Sequence, residues 1–569
     1  AWVGDEHATA EQRGPLERNL SLTDRLTAGH AAQRALDRAA DRTPPDLPSE
    51  SEVIIIGAGL TGMVMASELS KVGASVTILE KSGSVGGVWR QHGNPHSRVN
   101  STEPAYRMRV RREQPNANHS YYHEVITDLR LAIEQHRLAE RIWLHTEVSS
   151  VRPPRAGVVD GTWLVAGRVG AAAPKPFEVV ASRLVLTCTN RRLGKPRAMH
   201  YPGEESFAGH VRRGLSGDNV DLDWEGASTI VIGHGPFAIE QVRTALERGA
   251  SHVKCLVRRH GLVCPQIVDY LNLVRPFTDD FAHPTAGSGA MLQMWRDVYR
   301  LSGATPPETW ARGVFRPDGH SVSVSDVYFI GHYLGLISTA VARVRCFHED
   351  GVITDDGVLH KAQVVIKCVG FEVNEGNERI FGRARMAANG MVGRGLWSLV
   401  EPHLDEVANL LPLIGHVSAI NFNATLLASC WRDPELLERL VRFHPQLCQA
   451  RPNHVTASES AAALLHMAEV DATFGALLRE HVEGVADATA ASWSPEEYLE
   501  CNMRQWSTLH SDLLAGRPDV RSRDGDAAMA YPFSHALEVL RIEAPHLLNR
   551  DAQRRHEEHD EAEHTVVAD

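Results

Sequence analysis

Two glycine turns, each at the end of a β-branched run, carry most of the chemistry legible in this chain of 569 residues. The first is Gly57-Ala58-Gly59-Leu60-Thr61-Gly62, preceded by Val53-Ile54-Ile55-Ile56. The second is Gly233-His234-Gly235-Pro236-Phe237-Ala238, preceded by Thr229-Ile230-Val231-Ile232. A strand, such a turn and a following helix offer free backbone N–H groups and the positive end of a helix dipole to a pyrophosphate. Gly57 allows the tight turn, Gly59 admits the phosphates against the backbone, and Gly62 lets the helix pack close to the strand. In the second turn Ala238 takes the place of the third glycine, where a methyl group is permitted. A chain with two such turns can hold two dinucleotides, which suggests electron transfer between them.

The residues beyond each turn differ, and the difference separates the two ligands. After the first turn a second apolar run, Ser75 to Leu79, ends at Glu80, about 20 residues beyond Gly62, where a ribose-binding carboxylate belongs. Lys81 is next, and Gly86-Gly87-Val88-Trp89 follows closely. After the second turn the run His252 to Val257 ends not in an acid but in Arg258-Arg259-His260. A carboxylate there would repel a 2′-phosphate, whereas a guanidinium grips one with paired hydrogen bonds. The expected ligand of Gly233, Gly235, Ala238, Arg258 and Arg259 is therefore NADPH rather than NADH. A solvated surface cluster is the other reading of the two arginines.

The combination of GxGxxG, Glu80 and GGxW resembles the FAD fingerprint of two-dinucleotide flavoproteins, with Gly57, Gly59, Gly62, Glu80, Lys81, Gly87, Val88 and Trp89 as the binding residues. From about Glu52 to Trp431 the chain resembles the class B flavin-dependent monooxygenases. Further support lies in Pro202 to Gly209, in Cys368-Val369-Gly370-Phe371, and in Asn389-Gly390, Leu396-Trp397, Glu401-Pro402 and Leu413-Ile414-Gly415. The family's FxGxxxH signature is half kept: Phe207 and Gly209 are present, but Arg213 stands at the histidine position and His210 is displaced. The resemblance implies that NADPH reduces FAD, that O₂ adds to the reduced flavin as a hydroperoxide, and that a substrate takes the distal oxygen. It also implies a role for Asn100, which aligns with an asparagine that flavin-containing monooxygenases hold over the flavin. A turn or cap is the alternative role for this residue.

These residues need a scaffold. The expected fold is α/β: two Rossmann-like dinucleotide-binding domains, the NADPH domain inserted in the FAD domain, with helical N- and C-terminal extensions. The expected division is an N-terminal extension over 1–50 and the first part of the FAD domain over 51–190. The NADPH domain follows over 191–370, the FAD return segment over 371–431, and a helical extension with a disordered tail over 432–569. A helical stretch is expected near Leu16 to Ala40, and Pro265 to Val324 is long enough to form a lid.

Composition sets bounds. Hydrophobic content of 43% and charged content of 23% suit an ordinary globular protein. A formal charge of −12 argues against a nucleic-acid partner. No apolar run reaches about 18 residues, so no membrane span is expected. The 8 cysteines form no CxxC pair, which excludes a redox dithiol and points to a reducing cytoplasm. The 30 histidines show no metal-site spacing, so no metal is expected. Self-association is left open.

The substrate is less legible. Arg107, Arg109 and Arg111 would share one side of an extended segment and could hold an anion such as an amino-acid carboxylate. Ordinary ion pairs or a solvated face are the alternative. Asn421, with His416 and Asn423, would supply polar groups to a pocket, with core packing as the alternative. The expected reaction is N-oxygenation of a small amine or amino acid, aspartate-like and from a natural-product pathway, with O₂ as co-substrate. Baeyer–Villiger or sulfur oxidation is the alternative within the family, and Arg213 in place of the signature histidine argues against Baeyer–Villiger chemistry. A non-oxygenating reductase that passes hydride to a protein or quinone partner is the alternative of another class.

Overall fold

The computed structural model describes residues 22–41, 46–100, 103–114, 116–117, 119–152, 162–190, 193–266, 269, 295–311, 322–372, 375–381, 398–399, 416–436, 439, 466 and 468–480. The C-terminal tail, the motifs Asn389-Gly390, Leu396-Trp397, Glu401-Pro402 and Leu413-Ile414-Gly415, and most of the stretch from Pro265 to Val324 lie outside the described residues.

The first sheet is built from β1 (Glu50–Ile56), β2 (Val76–Leu79), β3 (Ile142–Trp143), β4 (Thr146–Arg152), β5 (Trp163–Val169) and β6 (Lys175–Thr187). Its order is β3-β2-β1-β6-β5-β4. The strands from β3 to β6 run parallel, while β5 and β4 turn back as an antiparallel meander. Val53, Ile54 and Ile55 are fully buried, as expected of a β-branched strand covered on both faces. The chain leaves β1 toward β2 and β3 and returns on the other side of β1 with β6. The strand order therefore reverses between β1 and β6, and a parallel sheet opens its ligand crevice at such a point.

The second sheet repeats this plan. It contains β7 (His210–Arg212), β8 (Ser228–Ile232), β9 (His252–Val257), β12 (Ile337–Val341) and β16 (Val364–Lys367), in the order β12-β9-β8-β16-β7. Every pairing is parallel, and the reversal falls between β8 and β16. Between β9 and β12 lies a short parallel pair, β10 (Val263–Cys264) with β11 (Ser323–Val324). A three-stranded antiparallel insert, β13 (Val344–His348), β14 (Gly351–Thr354) and β15 (Leu359–Lys361), follows β12. The final strand, β17 (Ser398–Leu399), returns to pair with β6 of the first sheet.

Eight helices frame the site: α1 (Leu22–Ala40), α2 (Leu60–Lys71), α3 (Val88–Gln91), α4 (Glu103–Tyr106), α5 (Tyr122–Gln135), α6 (Pro236–Glu247), α7 (Asp326–Tyr333) and α8 (His416–Arg432). Helix α2 is buried from Leu60 to Leu69 because α8 packs against it. Helix α1 packs on α5. It is pinned by Arg90 to Asp37 at 2.8 Å and by Gln33 to the Tyr122 hydroxyl at 2.5 Å.

The chain crosses between the two sheets twice, and the crossings lie side by side. Gly194 N–H donates to Glu372 C=O at 3.0 Å, Glu372 N–H to Lys195 C=O at 2.9 Å, and Arg197 N–H to Gly370 C=O at 3.0 Å. A buried charge cluster reinforces the contact. Glu247 of α6 meets Arg25 of α1 at 3.1 Å, Arg98 at 3.4 Å and Arg243 at 3.7 Å. Burial would raise the Glu247 carboxyl, but the three guanidiniums outweigh it and hold it down at about 2.

Candidate active site

The two glycine turns occupy equivalent positions at the two strand-order reversals. Gly57 has φ +105° and Gly233 φ +126°, a region that favours glycine. A Cβ on Gly57 would stand 2.9 Å from the Cys188 carbonyl oxygen, at the end of β6. One on Gly233 would stand 2.4 Å from the Cys368 carbonyl oxygen, at the end of β16. In each unit the carbonyl across the reversal thus demands a glycine. Helices α2 and α6 begin at Gly59 and Gly235, and neither start has a side-chain cap. Their first N–H groups remain available to an anion.

Around the first turn, the residues fit a dinucleotide. A Cβ on Gly62 would lie 2.0 Å from the Gly57 carbonyl oxygen, which is how closely α2 packs on the strand. Gly86 N–H donates to Ala58 C=O at 3.0 Å, and a Cβ on Gly87 would lie 2.9 Å from Gly59 Cα. The GGxW segment is thereby laid against the turn. Glu80 is buried, with Oε2 accepting from Ala58 N–H at 2.7 Å and Oε1 accepting from Ser82 N–H and Oγ–H, each at 2.8 Å. A carboxylate has about four acceptor positions, so one remains for a ribose hydroxyl. Lys81 is exposed beside it. Val88 opens α3, and Trp89 Nε1–H donates to the Tyr106 hydroxyl at 2.5 Å. Burial pushes that phenol up to about 12, with the Trp89 bond opposing.

The second turn is more open. A Cβ on Gly235 would meet nothing within 4 Å, and Ala238 is buried at the first turn of α6. Arg258 and Arg259 are exposed at the end of β9, the strand next to β8. The ring of Phe371, at the second crossing, lies 4.9 Å from that of His92 and 5.1 Å from that of Phe237, so it sits between the end of α3 and the start of α6.

The residues expected to meet substrate do not converge. The segment after α4 is not a strand, so the alternate spacing of the arginines does not align them. Arg107 Nε–H donates to both Glu103 oxygens, at 2.8 and 2.9 Å, which neutralises it as an anion site. Arg109 donates to the Thr425 hydroxyl at 2.6 Å, and Arg111 is exposed. Asn421 Nδ2–H donates to the Arg107 carbonyl at 2.7 Å; its buried Oδ1, like that of Asn423, has no partner among the described residues. Asn100 reaches across to the second unit: Nδ2–H donates to Val322 C=O and Oδ1 accepts from Val324 N–H, both at 2.8 Å. Its amide pairs with that backbone as a neighbouring strand would. In the FxG remnant, Phe207 packs edge-on against Phe347, and a Cβ on Gly209 would lie 2.2 Å from the Gln363 carbonyl oxygen. Packing accounts for both residues.

Sequence reasoning missed two groups. One is the cluster at Glu247, two of whose three partners, Arg25 and Arg98, lie 222 and 149 positions away in the chain. The other is His234, which as the middle residue of a glycine turn gave no signal. Among the described residues no group of histidines, cysteines and acids could hold a metal ion, and no helix is long and apolar enough to cross a membrane.

Residues 55–121 match the model of an NAD(P)-binding Rossmann-like domain. The chain is 26% identical over 199 residues to the FAD-binding monooxygenase VdtE of Byssochlamys spectabilis, a match covering 34% of this chain and 34% of that protein. It is 22% identical over 410 residues to the probable FAD-binding monooxygenase AlmA of an Acinetobacter species, covering 66% and 78% respectively. An open crystal structure of cyclohexanone monooxygenase superposes on 74% of this chain and 98% of its own, at 15% identity and a TM-score of 0.49. The match thus spans about a third of the first relative's length. Over these stretches the chain is similar to FAD-binding monooxygenases.

Proposed function

We propose that this protein is an FAD- and NADPH-dependent monooxygenase that oxygenates the nitrogen of a small amine or amino acid. The observation that carries the reading is the pair of uncapped glycine turns at two strand-order reversals, with Glu80 beside one and Arg258 and Arg259 beside the other. On this reading residues 51–190 and 371–431 hold FAD and residues 191–370 hold NADPH. Bound flavin, nicotinamide and O₂ supply the redox chemistry. The chain's part is to bind both nucleotides, orient them and exclude water. The α2 and α6 N-termini take the pyrophosphates, Glu80 the adenosine ribose, and the two arginines the 2′-phosphate. Asn100, at the seam between the units, holds the nicotinamide side against the flavin side.

A nitrogen substrate is supported by Arg213 at the signature histidine position, and by the Asn421 and Asn423 carbonyl oxygens, buried acceptors suited to an amine N–H. Of the cationic candidates Arg109 suits a substrate carboxylate best, since among the described residues its hydrogen bond is to the neutral Thr425 hydroxyl. An aspartate-like substrate in a natural-product pathway fits that charge pattern, and a reducing cytoplasm suits the scattered thiols.

The test is mass spectrometry of amines and amino acids incubated with enzyme, NADPH and ¹⁸O₂. Label on nitrogen is the expected result. Label beside a ketone carbonyl would indicate Baeyer–Villiger chemistry. Substrate-dependent NADPH oxidation with no label in product would indicate the reductase.

A further inference from the structure

The middle residue of the second glycine turn does not face the nucleotide side. His234 is buried, and its ring is fixed from two directions. Nδ1 accepts from Gly261 N–H at 2.8 Å, and Nε2 lies 3.1 Å from the Tyr328 hydroxyl of α7. Because Nδ1 accepts a backbone N–H, the proton of the neutral ring is on Nε2, which donates to Tyr328. His332, also on α7, donates from Nδ1–H to the Tyr328 carbonyl at 2.8 Å, and its Nε2 lies 3.2 Å from Thr339 Oγ1. Burial, with the neighbouring His260 and His332, lowers His234 to about 3, so the ring is neutral.

The segment held by this bond runs from Arg258 to Gly261. It carries both candidate phosphate arginines and ends at the anchored N–H. A Cβ on Gly261 would lie 2.4 Å from the His234 carbonyl oxygen and 2.8 Å from Nδ1. The loop is thus pressed directly onto the turn that takes the pyrophosphate. One imidazole joins the two parts of the nucleotide site: the turn for the pyrophosphate and the loop for the 2′-phosphate.

We infer that His234 is a positioning residue for 2′-phosphate recognition, setting the Arg258–Arg259 loop through its bond to Gly261 and so contributing to the preference for NADPH over NADH. The inference rests on the assignment of NADPH to this turn.

The experiment titrates FAD-loaded protein with NADPH and NADH, comparing the parent with His234→Leu, His234→Asn and Gly261→Ala. The leucine removes the acceptor. The asparagine keeps one, since its Oδ1 occupies nearly the place of Nδ1. The alanine moves the loop while His234 is intact. The expected result is a loss of NADPH affinity of about tenfold in the leucine and alanine variants, the scale of one charge-assisted contact. NADH affinity and FAD content should be unchanged, and the asparagine should keep most of the preference. An unchanged NADPH to NADH ratio in the leucine variant, or an equal loss for both nucleotides, would overturn the inference. If the leucine variant fails to fold, the asparagine and alanine variants decide: loss in alanine with retention in asparagine supports the inference, and any other pattern overturns it. A parent with no NADPH preference would instead defeat the underlying assignment of NADPH.

Discussion

Two of the turn glycines should fail for different reasons when given a methyl group, and the structure predicts which failure belongs to which. At Gly235 the backbone is extended at φ −88° and ψ −179°, so alanine is unstrained there, and its Cβ meets no atom within 4 Å. Alanine is a poorer helix N-cap than glycine by roughly 0.5–1 kcal/mol, and the stiffer unfolded chain returns about 0.4–1 kcal/mol. The nucleotide-free protein should therefore melt within a few degrees of the parent. The open space is what a pyrophosphate needs, and a methyl there would push it off the α6 N–H groups. Losing one or two bonds to a charged group at about 1.5 kcal/mol each weakens binding about ten- to a hundredfold. Gly62 is the opposite case. Its added Cβ would stand 2.0 Å from the Gly57 carbonyl oxygen, short of the 3.4 Å at which ordinary contact begins, so α2 must withdraw, an overpacking worth about 1–3 kcal/mol. Thermal unfolding without nucleotide and NADPH titration of the FAD-loaded protein separate the two. Gly235→Ala should keep its melting temperature and FAD and lose NADPH. Gly62→Ala should lose melting temperature and FAD together. Parent-like NADPH binding in the first, or parent-like stability with full FAD in the second, would refute the assignment of these turns.

Replacing Arg258 and Arg259 together with alanine should weaken NADPH about ten- to a hundredfold and leave NADH nearly unchanged, in the same titration. An equal loss for both nucleotides would reduce the pair to general electrostatics. Burial holds His96 and His332 down at about 4 and His234 at about 3. The unfolded chain takes protons at these sites first, so stability is full above about pH 6.5 and falls as the pH drops toward 4 and then 3. Each group should cost about 2 kcal/mol by pH 5, visible as an acid limb in melting temperature. His96→Phe, which removes a ring whose nitrogens have no partner among the described residues, should flatten that limb; an unaltered limb would remove His96 from the account. Asn100→Ala should retain FAD and be reduced by NADPH at close to the parent rate, yet release H₂O₂ in place of product. Unchanged coupling would leave Asn100 only its bonds to Val322 and Val324.

How much of this was legible in the sequence varied with the range of the interaction involved. The turns at Gly57 and Gly233, the strands before them and the extended helix at the N-terminus follow from local pattern, and β1, β8 and α1 appear at those places. The place of Glu80 beside the turn was legible because it ends the second strand, and its carboxylate accepts from Ala58 N–H within the turn. Arg107 was misleading because its ion-pair partner, Glu103, lies one turn back in a short helix that the alternating spacing did not suggest. The bonds from Asn100 to Val322 and Val324 were invisible for a different reason, since they join residues more than 200 positions apart. His234 was hidden by its own motif, in which the middle position tolerates many residues. Only the contact with Gly261 gives it meaning, and that contact needs the fold.

The paired crossings between Gly194 and Glu372 have a consequence for the order in which the chain is made. Strands β1 to β6 precede the first crossing, so the first sheet can assemble, except for β17, as soon as Thr187 has been synthesised. The second unit then emerges whole, and the bonds of the hinge cannot close until Glu372 appears, after its last strand, β16. Helix α8, which covers α2, comes later still. Until Glu372 has been made the nascent protein is two units joined by one unpaired tether, and the face of α2 that α8 covers stays open until Arg432 has been made. That face is open to chaperones or to misassembly in the interval.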